Sequence, residues 1–154
     1  MKLDLHKKYQ ILSSEWKEWI ISLWEIFTRS QKTLLYIYPR DNTPGCTLEN
    51  KDFSCMFWDF QKLGITLVGL SQDTIESHKK FQSEHSLQVD LISDSDLILH
   101  KELGAYGEKN NYGKIIQGVI RSTFLFDVEG NILQSWKNVK ATGHAAKLFK
   151  ELQK

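Results

Sequence analysis

The chain has 154 residues, 41% hydrophobic and 25% charged, which suits one domain with a single core and excludes a disordered chain. Its 20 basic and 19 acidic residues leave a formal charge of +1, so it lacks the electrostatic footprint that nucleic acid or anionic lipid requires. No apolar run reaches the ~20 residues of a membrane span, and the polar residues 1–8 lack a signal-peptide core, so a cytoplasmic protein is expected.

Residues 1–30 admit two readings. Trp16, Trp19, Ile20, Leu23, Trp24 and Phe27 line one helical face, or residues 9–12 and 20–23 pair as short strands followed by one helical turn. In both cases these aromatics are expected to cover the core. Residues 33–38 form the apolar run of a strand buried on both faces. A loop, residues 39–45, leads into a helical pattern carrying Cys46, Phe53, Met56, Phe57, Phe60 and Leu63, which Gly64 ends.

Residues 65–70 are a second buried strand, and Ser71 to Asp73 supply caps for a helix reaching about Ser86. A short strand at 89–93 and a short helix at 94–103 follow. Residues 119–127 read as one strand, 128–131 as its turn and 132–136 as the paired strand, before a last helix at 144–152. Strands alternating with helices and closing in a hairpin predict an α/β protein: a thioredoxin-like fold, with a central mixed sheet flanked by helices, in one domain over residues 1–154.

Two cysteines, Cys46 and Cys55, are too few for a disulfide framework, so each is either inert packing or a reactive thiol. The position of Cys46 favours reactivity. Its loop joins a buried strand to a helix start, where ligands gather at the ends of parallel strands. Pro44 suits the first helical position with Thr43 as N-cap, so Cys46 falls in the first turn. There, orphan backbone N–H groups and the helix dipole favour a negative sulfur, and the thiolate is the nucleophile. Arg121, on the later strand, is the candidate cation, and the Thr43 hydroxyl can donate to or accept from a bound oxygen. The five histidines, His6, His78, His85, His100 and His144, show no i, i+4 pair and no ligand companions, so neither a metal nor a cofactor is expected.

The pattern Pro39-x-x-x-Thr43-x-x-Cys46 resembles the active-site signature of peroxiredoxins. Tyr38-Pro39 with Thr43-Pro44-Gly45-Cys46-Thr47 resembles the bacterioferritin-comigratory-protein (PrxQ) subfamily. Residues 106–114 are similar to that subfamily's loop, 118–125 to its arginine-bearing strand and 142–145 to the entry of its last helix. The resemblance implies a thiol-dependent peroxidase whose Cys46 attacks hydrogen peroxide or an organic hydroperoxide and becomes a sulfenic acid. It implies that Arg121 stabilises the thiolate and the leaving oxygen, and that Thr43 and the Cys46 N–H align the peroxide. It further implies that Pro39 shields the thiolate, that Glu49 orients Arg121 through an ion pair, and that the protein is a monomer, with a dimer as the alternative.

Many members of the subfamily carry a resolving cysteine five positions after the first, where this chain has Lys51. Others carry it on the following helix, and residues 76–87 contain no cysteine. Cys55 is nine residues beyond Cys46, which on a helix is about 900° of rotation and ~13.5 Å of rise. A disulfide needs Cα atoms within about 7 Å, so the folded helix forbids this bridge. The expectation is a one-cysteine mechanism, in which thioredoxin, glutaredoxin or a low-molecular-weight thiol attacks the sulfenic acid. Unwinding of the helix, or Cys55 of a second chain, are the alternatives. A disulfide reductase would want Cys-x-x-Cys, and Leu48 and Glu49 stand where the second thiol would fall. A redox sensor or holdase would keep Cys46 and Thr43 yet turn over poorly, and Lys51 favours that reading.

Overall fold

A computed structural model describes residues 2–154. The chain runs through β1 (Lys8–Leu12), β2 (Glu18–Ser22), α1 (Leu23–Phe27), β3 (Lys32–Ile37), α2 (Pro44–Cys55), α3 (Phe57–Lys62) and β4 (Ile65–Ser71). It continues through α4 (Ile75–His85), β5 (Asp90–Ser93), α5 (Ile98–Glu102), β6 (Tyr106–Asn111), β7 (Lys114–Val119), β8 (Ser122–Asp127), β9 (Ile132–Lys137) and α6 (His144–Leu152). Seven strands form one mixed sheet in the order β2-β1-β5-β4-β3-β8-β9, and β6 and β7 pair separately. β3, β4 and β5 are mutually parallel, joined by helical crossovers, and β8 returns antiparallel along β3.

The alternation of side chains along β3 divides the core into two layers. Leu34 and Tyr36 face a layer containing Cys46, Phe53, Phe60, Phe81 and Leu148, which come from α2, α3, α4 and α6. Leu35 and Ile37 face the other layer, built from Phe27 of α1, Leu99 of α5 and the N-terminal Leu3 and Leu5. The thiol therefore lies on the helical face covered by α2. Among the described residues, no helix is long and apolar enough to cross a membrane. The thioredoxin-type α/β architecture agrees with the sequence reading.

Several elements differ from expectation, each for a local reason. The N-terminal segment forms the strand pair and helical turn rather than one helix. Leu23 and Phe27 are buried, but Trp16, Trp19 and Trp24 are each more than half exposed, so these tryptophans do not cover the core. Trp16 and Trp19 ride on the β1–β2 hairpin at the edge of the sheet, and Trp24 lies on the outer side of α1.

The helix expected from Cys46 to Leu63 breaks at Met56, whose N–H is shared between the carbonyls of Asp52 and Phe53, the tightened bonding of a helix end. The cap of α4 is Thr74, accepting from the Ser77 N–H at 3.2 Å, rather than a residue of 71–73. The segment read as one strand over 119–127 splits at Ile120 and Arg121. There the Ile120 N–H donates to the Ala105 carbonyl while the Arg121 carbonyl accepts from Val139, so the chain passes from hairpin to sheet. The stretch 106–114 is not a loop but part of the β6–β7 hairpin. Tyr112 and Gly113 turn it with φ of 54° and 83°, as a two-residue type I′ turn requires.

Gly69 of β4 matters for the site because Tyr36 lies on it. A Cβ there would stand 2.9 Å from the Tyr36 ring and hydroxyl and 2.9 Å from Leu91. Gly69→Ala is expected to displace Tyr36 and lower stability by about 1–3 kcal/mol, seen as a lower urea midpoint. An unchanged midpoint would show that the layer has room to give.

Candidate active site

β3 delivers the chain to the end of the sheet, where residues 39–43 turn it into α2. Asn42 takes a left-handed φ of 61°. Thr43 is extended (φ −85°, ψ 153°) at the N-cap, and Pro44 occupies the first helical position, where its missing N–H costs nothing. The Thr43 carbonyl accepts from Thr47 at 2.8 Å. Its hydroxyl makes no cap bond; it donates to the Arg40 carbonyl at 2.9 Å, which leaves its lone pairs free to accept. Cys46 is the third residue of α2, so its N–H has no partner within the helix. The side chain of Cys46 is buried, at 1% exposure.

Arg121 reaches this turn from the strand junction. Its Nη2 donates to Cys46 Sγ at 3.3 Å and its Nη1 to Glu49 Oε1 at 2.6 Å. A Cβ on Gly45 would lie 3.3 Å from Nη2, so the glycine leaves room for the guanidinium over the first turn. Glu49 is fully buried, and its second oxygen, Oε2, has no hydrogen-bond partner among the described residues. Burial pushes the Glu49 carboxyl up to about 7, although Arg121 pulls against it. Burial pulls Arg121 down, but Glu49 and then Cys46 outweigh it, so the Arg121 pKa rises and the guanidinium stays charged.

Pro39, Arg40, Thr43 and Gln72 line an open cleft of about 470 Å³ together with Lys109, Ile116, Gly118 and Val119 of the β6–β7 hairpin. Lys109 Nζ donates to the Val119 carbonyl at 2.9 Å. The structure thus brings Cys46, Glu49 and Arg121 into contact and sets Pro39 and Thr43 in the loop beside them. Cys55, at the far end of α2, is exposed. Among the described residues no three potential metal ligands converge.

Sequence reading missed a polar layer beneath the thiol. Asn50 Nδ2 donates to the Cys46 carbonyl at 2.9 Å, and Asn50 Oδ1 accepts from Tyr36 Oη at 2.7 Å. Tyr36 stacks on Phe53 at 4.3 Å between ring centroids. The signal was present in the spacing: Cys46, Glu49, Asn50 and Phe53 share one helical face, and two polar residues on an inward face need partners. His144 packs against the same layer. Its Nε2 lies 2.8 Å from Thr123 Oγ1, and its ring meets Phe53 edge-on.

A thiol held at a helix start, under a guanidinium, on a thioredoxin-type sheet defines a thiol-dependent peroxidase rather than a disulfide reductase. The sequence matches the AhpC/TSA family over residues 7–135, and the chain belongs to that family. Within it the similarity is to the bacterioferritin-comigratory (PrxQ) peroxiredoxins. The chain is 48% identical over 122 residues to the Helicobacter pylori peroxiredoxin bcp, covering 79% of this chain and 80% of that protein. It is 42% identical over 112 residues to peroxiredoxin Bcp of Xanthomonas campestris, covering 73% and 70%. A solved structure of the Xanthomonas campestris bacterioferritin comigratory protein, studied for its alkyl peroxide reduction activity, superposes with a TM-score of 0.82. That match has 31% identity and covers 99% of this chain and 95% of the other.

The buried histidine has a measurable consequence. Burial, then the charge of Arg121, lowers His144 from 6.5 to about 4. Below about pH 6.5 the unfolded chain binds a proton that the folded protein takes up only near pH 4, so stability falls as pH drops through that window. The loss from this group is on the order of 2 kcal/mol. Urea unfolding of the protein and of His144→Gln at about pH 7 and pH 4.5 should show the variant losing less stability on acidification. Equal losses would remove His144 as a source of the acid sensitivity.

Proposed function

We propose that residues 1–154 act as one domain and as a one-cysteine peroxidase, reducing hydrogen peroxide and organic hydroperoxides through a Cys46 sulfenic acid. The contact between Arg121 Nη2 and Cys46 Sγ at 3.3 Å carries this reading. The Cys46 thiolate attacks the peroxide oxygen that bears hydrogen, and the O–O bond breaks. Sulfur gains that hydroxyl and is oxidised by two electrons, while the other oxygen leaves with the bonding pair and takes a proton to become water or an alcohol. Arg121 stabilises the thiolate and then the charge on the departing oxygen. Thr43, its hydroxyl hydrogen already committed to Arg40, accepts from the peroxide, and the Cys46 N–H donates to it, so the reacting atoms are held in line. Pro39 keeps water from the thiolate. Glu49 orients Arg121.

The cleft beside Pro39 offers apolar wall to an alkyl group through Ile116 and Val119, and the Xanthomonas campestris relative is described by its alkyl peroxide reduction. No second thiol stands near Cys46, so an external thiol attacks the sulfenic acid, releasing water and forming a mixed disulfide; a second reductant thiol then attacks that bond, releasing the Cys46 thiolate and leaving the reductant as its disulfide. Thioredoxin, glutaredoxin and low-molecular-weight thiols all supply that chemistry in a reducing cytoplasm, and a monomer suffices for it. Lys51, at the usual resolving position, favours the competing reading of a redox sensor or holdase with poor turnover.

One equivalent of hydrogen peroxide should add one oxygen to Cys46, as read by peptide mass spectrometry. Cys55→Ser should not alter this, and an added thiol should reverse it. Arg121→Gln should slow Cys46 oxidation by roughly 10²–10³-fold, and Glu49→Gln by less. A Cys46–Cys55 disulfide would make Cys55 the resolving thiol. A Cys46 that stays reduced would end the proposal, and oxidation without repeated turnover on any of the three reductants would favour the sensor.

A further inference from the structure

The loop that presents Pro39 and Thr43 is held by contacts the chemistry above does not use. Asp41, in the middle of this loop, is buried at 6% exposure. Its Oδ1 accepts from Tyr38 Oη at 2.6 Å. Its Oδ2 accepts from Ser77 Oγ at 2.8 Å and lies 2.8 Å from His78 Nδ1. His78 is fully buried on α4, and its Nε2 donates to the Ile92 carbonyl of β5 at 3.1 Å. The Asp41 N–H donates to Asp73 Oδ2 at 2.8 Å, and Asn42 Oδ1 lies 3.0 Å from His85 Nε2. Apart from the bond to Tyr38 just before it, every side-chain hydrogen bond from residues 39–43 to another part of the described chain goes to residues 73–85. A loop beside the thiol is thus tied to α4 by Ser77, His78 and His85, and of these the buried His78 also reaches the sheet.

The two halves of the proposed cycle place opposite demands on this loop. Attack on a peroxide needs Thr43 and Arg121 converged on Cys46. Attack by an external thiol needs that thiol in line with the oxidised sulfur, which at 1% exposure is out of its reach. The first turn of α2 must therefore move before reduction. Removing one partner of a buried, hydrogen-bonded pair leaves the other uncompensated, so the tie between Asp41 and His78 opposes that movement.

We propose that Asp41 and His78 are positioning residues that clamp residues 39–43 to α4, holding the first turn of α2 closed and so favouring the peroxide step over the reductant step. The catalytic part of this inference rests on Cys46 being the peroxide-reactive thiol.

The test uses the full chain carrying Cys55→Ser, so that only Cys46 is read. His78→Asn keeps a donor at the Nδ1 position toward Asp41, whereas His78→Gln keeps one at the Nε2 position toward Ile92. Three rates are measured at matched pH: alkylation of Cys46 by iodoacetamide, oxidation by hydrogen peroxide, and reduction of the sulfenic acid by dithiothreitol. His78→Gln and Asp41→Asn should alkylate about tenfold faster, oxidise about tenfold slower and be reduced faster, while His78→Asn stays within about threefold of the parent.

Urea midpoints accompany each variant, because general destabilisation would not separate Asn from Gln. Should the His78 variants fail to fold, Ser77→Ala removes a single bond to Asp41 and should shift the rates the same way by about two- to threefold. Alkylation rates equal to the parent across the set overturn the clamp, as do His78→Asn and His78→Gln that shift alike. If the parent ignores peroxide while the alkylation pattern holds, the clamp stands and the peroxidase reading fails.

Discussion

The site depends on one guanidinium that serves two partners. Arg121 gives one edge to the Cys46 sulfur and the other to the buried Glu49 carboxylate, so a single side chain sets both the charge beside the thiol and its own orientation. These residues are far apart in sequence, and the sheet register brings them together. β3 and β8 pair antiparallel with Ile37 opposite Ser122. The chain leaving β3 toward Cys46 and the chain entering β8 from Arg121 therefore lie at the same end of the sheet. A parallel β8 would have carried Arg121 to the opposite end.

That arrangement holds polar atoms in a place that strains them. Glu49 is fully buried with one oxygen unpaired, and burial pushes its carboxyl up to about 7 despite the neighbouring Arg121. Such groups oppose folding unless surrounding packing holds them. Here the stacked Tyr36 and Phe53, the Asn50 bond to the Cys46 carbonyl and the neutral His144 form that support. Glu49 and Asn50, both buried in the first two turns of α2, are thus held where the chemistry needs rigid geometry.

The same economy of contacts explains why much was legible in the sequence and some was not. The buried strands read clearly because continuous apolar runs at 33–38 and 65–70 have few other stable homes. The Pro44 and Thr43 helix start was legible because only particular residues suit those backbone positions. The tryptophans misled: Trp16, Trp19 and Trp24 have the spacing of a buried face, but the first two sit on the edge hairpin and the third on α1, and all three are more than half exposed. The break at Arg121 was hidden because residues 119–127 carry no Gly or Pro to mark it, and only the bonds to Ala105 and Val139 show the chain changing partners there.

The fold class, the helix start under Cys46 and the lack of a cysteine at position 51 are all readable from the linear chain, because they follow from residue type and local spacing. Arg121 and Glu49 could be named from the sequence, but that one guanidinium bonds both the sulfur and the carboxylate, and that Asp41 joins His78, depended on how the chain packs. Those are contacts between residues 37 to 75 positions apart. Spacing along a helix or strand predicts neighbours within one element, whereas contacts between elements depend on sheet order and register, which the linear pattern does not encode.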